Sequence, residues 1–164
     1  MKLRDATPDD AAAIEAIYTP YVLSSTCTMQ LEPGTLAERR EWLAAHGGRF
    51  PVLVAEDAGE IVAWASLSPY HRRPGYAPTV EDSIYVSDTR RGAGIGRALL
   101  TELVARAERA GHTSIIAMIA ADQPASIRLH EAFGFAKVAH LRRVGFKLGA
   151  WLDVVFMQRF VRDA

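Results

Sequence analysis

The 164-residue chain is 49% hydrophobic and carries nineteen basic and nineteen acidic residues. That is enough apolar material for one core, with no net field to attract nucleic acid or an anionic membrane. The single cysteine, Cys27, excludes an internal disulfide. The opening MKLRDATPDD lacks the apolar core of a signal peptide, and the two observations favour a reducing cytoplasm. No apolar run approaches the roughly 18 residues that span a bilayer, so a soluble protein is expected.

Thr7, Pro8 and Asp10 read as an N-cap, a first-turn proline and a capping-box acid, predicting a helix over about 8–19 with Ile14, Ile17 and Tyr18 as its buried stripe. Thr35 and Glu38 repeat the spacing ahead of a second helix, about 36–46, which Gly47 ends. The period then changes to two. VLVAED and IVAWASLS, separated by Asp57, Ala58 and Gly59, predict an antiparallel hairpin.

Residues 66–78, rich in proline, arginine and tyrosine, read as a long irregular loop, and loops of that length are often functional. In TVEDSIYV, Val80, Asp82, Ile84 and Val86 share one strand face, and Glu81, Ser83 and Tyr85 the other. Ile95, Leu99, Leu100, Leu103, Val104 and Ala107 recur at helical spacing up to Gly111. SIIAMIA suits a strand buried on both faces, a helix runs from near Pro124 to Gly134, and FAKVAHLRRVGF and WLDVVFMQRF close the order as strands. The whole reads as one α/β (α+β) domain over 1–164, a mixed central sheet flanked by about four helices, without repeats or linkers. The five histidines fall on no metal-ligand spacing, so no metal is expected.

RRGAGIGR sits between a strand and the longest helix. Glycines there let the backbone approach a ligand while free N–H groups and the helix dipole face it, which makes an anion site. Arg90, Arg91 and Arg97 add guanidinium forks suited to phosphate oxygens. A P-loop would need Lys then Ser or Thr after the last glycine, and the even spacing of Gly92, Gly94 and Gly96 departs from the dinucleotide fingerprint. A pyrophosphate-bearing cofactor of another kind fits.

Arg91, Gly94 and Gly96 match the Arg/Gln-x-x-Gly-x-Gly/Ala pattern, and with the element order the chain resembles the GNAT acetyltransferases. STCTMQLEP, RPGYAPTVEDSIYV, PASIRLHEAFGF and RRVGFKLGAWLDVVFMQR resemble, more specifically, the branch that acetylates phosphinothricin, methionine sulfoximine and methionine sulfone. The resemblance implies acetyl-CoA as co-substrate and direct transfer to the amine of a small amino-acid-like substrate in a ternary complex. It implies that Ile84, Tyr85 and Val86 offer backbone groups to the pantetheine arm. The turn Arg91, Gly92, Ala93, Gly94, Ile95, Gly96 and Arg97 would hold the pyrophosphate, with Gln123 and Ser126 also on the cofactor side. A homodimer, each subunit contributing to the other's site, follows from the branch. Three positions depart from it: Gln123 replaces Asn, Met29 replaces Phe and Pro78 replaces Trp.

An acceptor amine with a pKa of about 8 to 10 is only about 10% to 0.1% neutral at pH 7, so assisted deprotonation is worth up to about 4 kcal/mol. Glu81 is the candidate base, by its strand face and its match to the branch's TVE segment; a solvated or amine-binding carboxylate is the other reading. His130 occupies the position where many relatives carry a tyrosine that protonates the leaving thiolate, and an imidazole can do that job. Arg73 and Tyr76, with Arg72 beside them, match the branch's RPAY segment and are candidates to hold the acceptor's carboxylate or phosphinate, and Met29 belongs to the acceptor pocket. Cys27 has no local Cys-His signature and reads as a pocket or core residue. The alternatives are a protein or peptide N-acetyltransferase, which needs an open groove, and a non-catalytic acetyl-CoA-binding regulatory module.

Overall fold

The structure, a computed structural model, describes residues 1–162. Strands β1 (Lys2–Asp5), β2 (Val52–Asp57), β3 (Glu60–Pro69), β4 (Thr79–Val86), β5 (Ser114–Ala120), β6 (Ala136–Lys147) and β7 (Ala150–Phe160) form one sheet in the order β1-β2-β3-β4-β5-β7-β6. Four α-helices flank it: α1 (Ala11–Ser24), α2 (Leu36–Ala44), α3 (Ile95–Arg109) and α4 (Pro124–Ala132). Only β4 and β5 pair in parallel, so the sheet is mixed, as its alternating patterns suggest.

Strand alternation sorts the core into two layers. On one face, Leu99, Leu100, Leu103 and Ala107 of α3 are fully buried against Leu53, Ala63, Ala65 and Val80. Each fully buried leucine contributes roughly 2 kcal/mol in removing apolar surface from water. On the other face, Ile14, Tyr18 and Val22 of α1 pack on Val52, Val54 and Trp64. The rings of Tyr18 and Tyr85 meet edge to face at 4.8 Å, so β4 is gripped from both sides.

Three readings of the sequence need correction. KLRD forms the edge strand β1 against β2, a four-residue element too short for its alternation to register. The first helix begins with a 3-10 turn at Pro8–Asp10 and continues past residue 19 to Ser24, through Pro20. Pro20 lies on the exposed side, so the carbonyl its ring leaves unbonded is on the solvent face of the helix. Residues 66–68, read both as the end of the hairpin strand and as the start of the irregular segment, belong to β3, which runs on to Pro69, with Ser66↔Ser83 and Ser68↔Glu81 pairing across to β4.

The parallel pairing of β4 and β5 runs from Thr79↔Ser114 to Glu81↔Ile116 and stops there, although β4 continues to Val86 and β5 to Ala120. β3 stays paired to β4 as far as Val86, and β7 stays paired to β5 along its whole length. The sheet therefore opens into a wedge at its centre.

The capping box forms: Thr7 N–H and Oγ1–H both donate to Asp10, at 2.7 and 3.0 Å, and Arg4 closes on the same carboxylate at 2.7 and 2.9 Å. The Arg4 hydrogen bonds, reinforced by Thr7, hold the Asp10 pKa down to about 2. A depressed carboxylate stabilises the fold above its unfolded pKa and loses that contribution as pH falls through the folded value. Asp10→Asn is expected to cost on the order of 2 kcal/mol at neutral pH, a difference from the parent that shrinks toward pH 2 in urea titrations.

Candidate active site

The wedge opens onto a cleft of about 490 Å³. Its floor is the diverging backbone of Glu81 to Val86 on β4 and Ala117 to Ala120 on β5. Backbone N–H and C=O groups on the facing edges have no strand partner across the gap, so an extended arm carrying amides can bond there as an added strand. The cleft also takes in Met29, Glu81, Ile84, Tyr85, Val86, Arg91, Gly92, Gly94, Ile95, Gly96, Gln123, Ser126 and His130, most of the residues singled out from sequence.

The glycine turn forms one end. Gly92 and Gly94 have φ of 79° and 78°, left-handed geometry that a Cβ would strain, and Gly94 is the N-cap of α3. Gly96 serves a different need, since a Cβ there would lie 3.4 Å from Leu129 Cδ2 of α4. The N-terminal amides and dipole of the 15-residue α3 thus face the cleft end, a place for a pyrophosphate. Arg91 stacks over the Tyr21 ring at 5.1 Å and pairs with Asp88 at 2.7 Å. Arg90, also on the cleft, pairs with Asp57.

Five expected site residues lie off the lining. Ala93 is exposed within the turn, and Arg97 stacks outward over Phe133 at 5.4 Å. Arg72, Arg73 and Tyr76 are exposed because their loop packs on itself: Tyr76 stacks against Tyr70 and His71 at 5.9 and 4.8 Å. That loop leads directly into β4, two residues before Glu81.

Glu81 lines the cleft with its pKa raised, mainly by burial and then by the neighbouring Asp82 charge. Asp82 points to the opposite face and meets His130, with Nε2 to Oδ2 at 2.9 Å, while His130 Nδ1 donates to the Ser126 carbonyl at 2.8 Å. The carbonyl takes the Nδ1 proton and an ionised Asp82 accepts a second from Nε2, so the pair favours the imidazolium form. Burial alone would lower its pKa; the hydrogen bond and charge of Asp82, with the Ser126 carbonyl, outweigh it and raise the pKa. Asp82 Oδ1 is buried without a partner beside the cleft. The sequence reading missed this pair, although the signal was there: an acid on the same strand face as Val80, Ile84 and Val86.

The sequence reading put Met29 and Cys27 at the pocket but did not see the strap that carries them, residues 25–29, which follows α1 and forms the cleft's other wall. Thr26 Oγ1 lies 2.9 Å from both Asp122 carboxylate oxygens, and Gln123 Nε2 donates to it at 2.6 Å. Cys27 Sγ–H donates to Gln123 Oε1 at 3.2 Å. The longer reach of Gln123 over Asn is thus used to tie the strap to the start of α4. Among the described residues, no three His, Cys, Asp or Glu side chains gather as a metal site, and no helix is long and apolar enough to cross a membrane.

A parted mixed sheet, a glycine turn heading a helix and a cleft joining them define an acyl-CoA-binding acetyltransferase. The chain belongs to the acetyltransferase (GNAT) family, whose model matches residues 13–135. It is 40% identical to the L-methionine sulfoximine/L-methionine sulfone acetyltransferase of Pseudomonas paraeruginosa, over 95% of this chain and 92% of that one. Among solved structures it superposes with a TM-score of 0.97 on yncA from Salmonella typhimurium, determined with its cofactor acetyl-CoA, at 36% identity over 100% of this chain and 95% of that one. A phosphinothricin acetyltransferase from Sinorhizobium meliloti in complex with acetyl-CoA follows at 0.94 and 41% identity, over 97% and 87%. The protein is an acetyl-CoA-dependent acetyltransferase, and the cleft's amide-bearing edges and anion-binding turn fit that cofactor.

Breaking a buried ion pair by removing one partner costs roughly 3 kcal/mol or more. A histidine whose folded pKa is raised contributes stability fully below its unfolded pKa and loses it as pH rises through the folded value. Asp82→Ala is therefore expected to destabilise the protein most near pH 6, with the gap to the parent narrowing above the raised His130 pKa, as read by thermal denaturation across that range.

Proposed function

We propose that this acetyltransferase transfers the acetyl group to the α-amine of a small amino-acid-like substrate of the methionine sulfoximine, methionine sulfone or phosphinothricin type, as one domain over 1–164. The observation that carries this reading is the position of Glu81, which lines the cleft where β4 and β5 part, with its pKa raised by burial. A relative named for the first two substrates, 40% identical over 95% of the chain, and one named for phosphinothricin, 38% identical over 97%, support the substrate class.

In this mechanism the residues from Asp82 to Val86 and the amides at the head of α3 hold acetyl-CoA, whose thioester supplies the acetyl group. Glu81 accepts the proton of the substrate ammonium, directly or through water, and the freed amine attacks the thioester carbonyl. A carboxylate of raised pKa is the stronger base toward that ammonium. His130 holds its Nε2 proton against Asp82 and delivers it to the departing thiolate only when the thiolate displaces Asp82 as acceptor. Met29 shapes the acceptor side, and Arg72, Arg73 and Tyr76, exposed on the loop ahead of β4, are available to the acceptor's carboxylate or phosphinate only if that loop turns toward the cleft.

The expected result in a CoA-release assay is turnover with methionine sulfone, methionine sulfoximine or phosphinothricin and none with a lysine peptide. Glu81→Gln should lower kcat/KM by about a hundredfold or more and abolish the acid limb of its pH profile. In the parent that limb lies above the ordinary carboxylate range, because activity falls as pH drops through the raised Glu81 pKa. Turnover on the peptide alone would transfer the protein to the peptide-modifying class.

A homodimer belongs to the same proposal. β6 is an edge strand of twelve residues, and its hairpin with β7 exposes Val138, Val144, Phe146, Leu148 and Trp151, each more than half exposed. A long apolar edge of that kind favours a partner. Trp151→Asp is expected to shift the sedimentation coefficient from that of a dimer to that of a monomer.

A further inference from the structure

The segment GFKLGAWLD has no part in the chemistry above. It folds as the tip of the β6–β7 hairpin, closed by Leu148 and Gly149, whose φ values of 52° and 77° are those of a tight two-residue turn. Along β6 the side chains are exposed until the last position, where Lys147 is only 3% exposed. Among the described residues no carboxylate pairs with it. Its ammonium donates instead to two backbone carbonyls, Thr28 O at 2.7 Å and Tyr21 O at 3.1 Å.

The second acceptor explains how a buried cation is tolerated there. Tyr21 lies in the last turn of α1, where the macrodipole is negative, and its carbonyl accepts from Lys147 in addition to the closing Ser25 N–H at 3.2 Å. The first acceptor gives the contact a consequence. Thr28 belongs to the strap and lines the cleft, and the next residue, Met29, packs on the same hairpin. A Cβ on Gly145 would lie 2.7 Å from Met29 Sδ, so the hairpin receives Met29 only because position 145 has no side chain. The hairpin therefore grips two successive strap residues, one by charge and one by shape.

The strap's other end is tied separately, through Thr26 and Cys27 to Asp122 and Gln123. Release at Lys147 would remove the backbone anchor of the end that carries Thr28 and Met29, leaving Thr28 tied only through its side chain to the Tyr18 hydroxyl at 2.7 Å, and leave the cofactor-side end in place. We infer that Lys147 is a positioning residue for the acceptor, holding Thr28 and Met29 at the wall of the cleft that Glu81 also lines. This inference rests on the amine-acceptor reading above.

Lys147→Met in the full chain tests it. The expected result is a KM for methionine sulfone raised about tenfold or more, with the acetyl-CoA Kd from calorimetry changed by less than about twofold. Amide exchange should quicken at Thr28 to Gln30 and stay slow in α3. If that variant does not fold, Gly145→Ala carries the test: it should raise the amine KM by displacing Met29, and adding Met29→Ala should remove the effect of the alanine at 145. An unchanged amine KM, or amine and acetyl-CoA binding weakened in step, would overturn the inference. Should the parent release no CoA with any amine, the substrate reading is what has failed. Exchange at Thr28 to Gln30 then decides the role of Lys147, and an unchanged rate in Lys147→Met would refute it.

Discussion

Everything in the site depends on the point where β4 and β5 stop pairing. Strand neighbours normally satisfy one another's amides and carbonyls, and leaving them unsatisfied is costly unless water or a ligand takes their place. Here the pairing stops at Glu81 and Ile116 while β3 and β7 hold the outer edges of both strands in place. The gap is consequently rigid. α3 and α4 pack beneath it on one face, α1 on the other, and the strap crosses from α1 to the start of α4.

Two carboxylates adjacent in sequence are put to different uses by the alternation of β4. Glu81 faces the cleft, unpaired and with its pKa raised by burial. Asp82 turns to the helix side and is neutralised by His130. Both sit where the sheet parts, so the proton-holding groups are concentrated at the apex of the wedge. That arrangement matches a reaction in which one proton leaves an ammonium and another is needed by a thiolate.

Much of this could be read from the chain. The face assignment in TVEDSIYV, the capping box at Thr35 and Glu38 and the αL glycines at the head of α3 are local rules, and local rules survive folding. What was illegible depends on tertiary context. Four residues of β1 carry too little pattern until β2 lies beside them. A proline in α1 ends a helix by propensity, but on the exposed side the carbonyl it leaves unbonded faces solvent, and the packing of Tyr18, Tyr21 and Val22 outweighs the remaining cost. The pairing of His130 with Asp82 spans 48 positions, and that of Lys147 with Thr28 spans 119, so neither can be inferred from spacing. The loop arginines Arg72 and Arg73 were legible as residues but not as geometry, because aromatic stacking within the loop sets where they point.

The unpaired edges of β4 and β5 offer main-chain groups, and main-chain groups are the same whatever residue carries them. Grip on the cofactor can therefore outlast extensive substitution along these strands, while the opposite wall is built from side chains such as Met29 and from a strap that a hairpin holds in place. A lineage sharing this architecture is free to exchange one acceptor for another without rebuilding its supply of acetyl groups, and the amine partner is where its members should differ most.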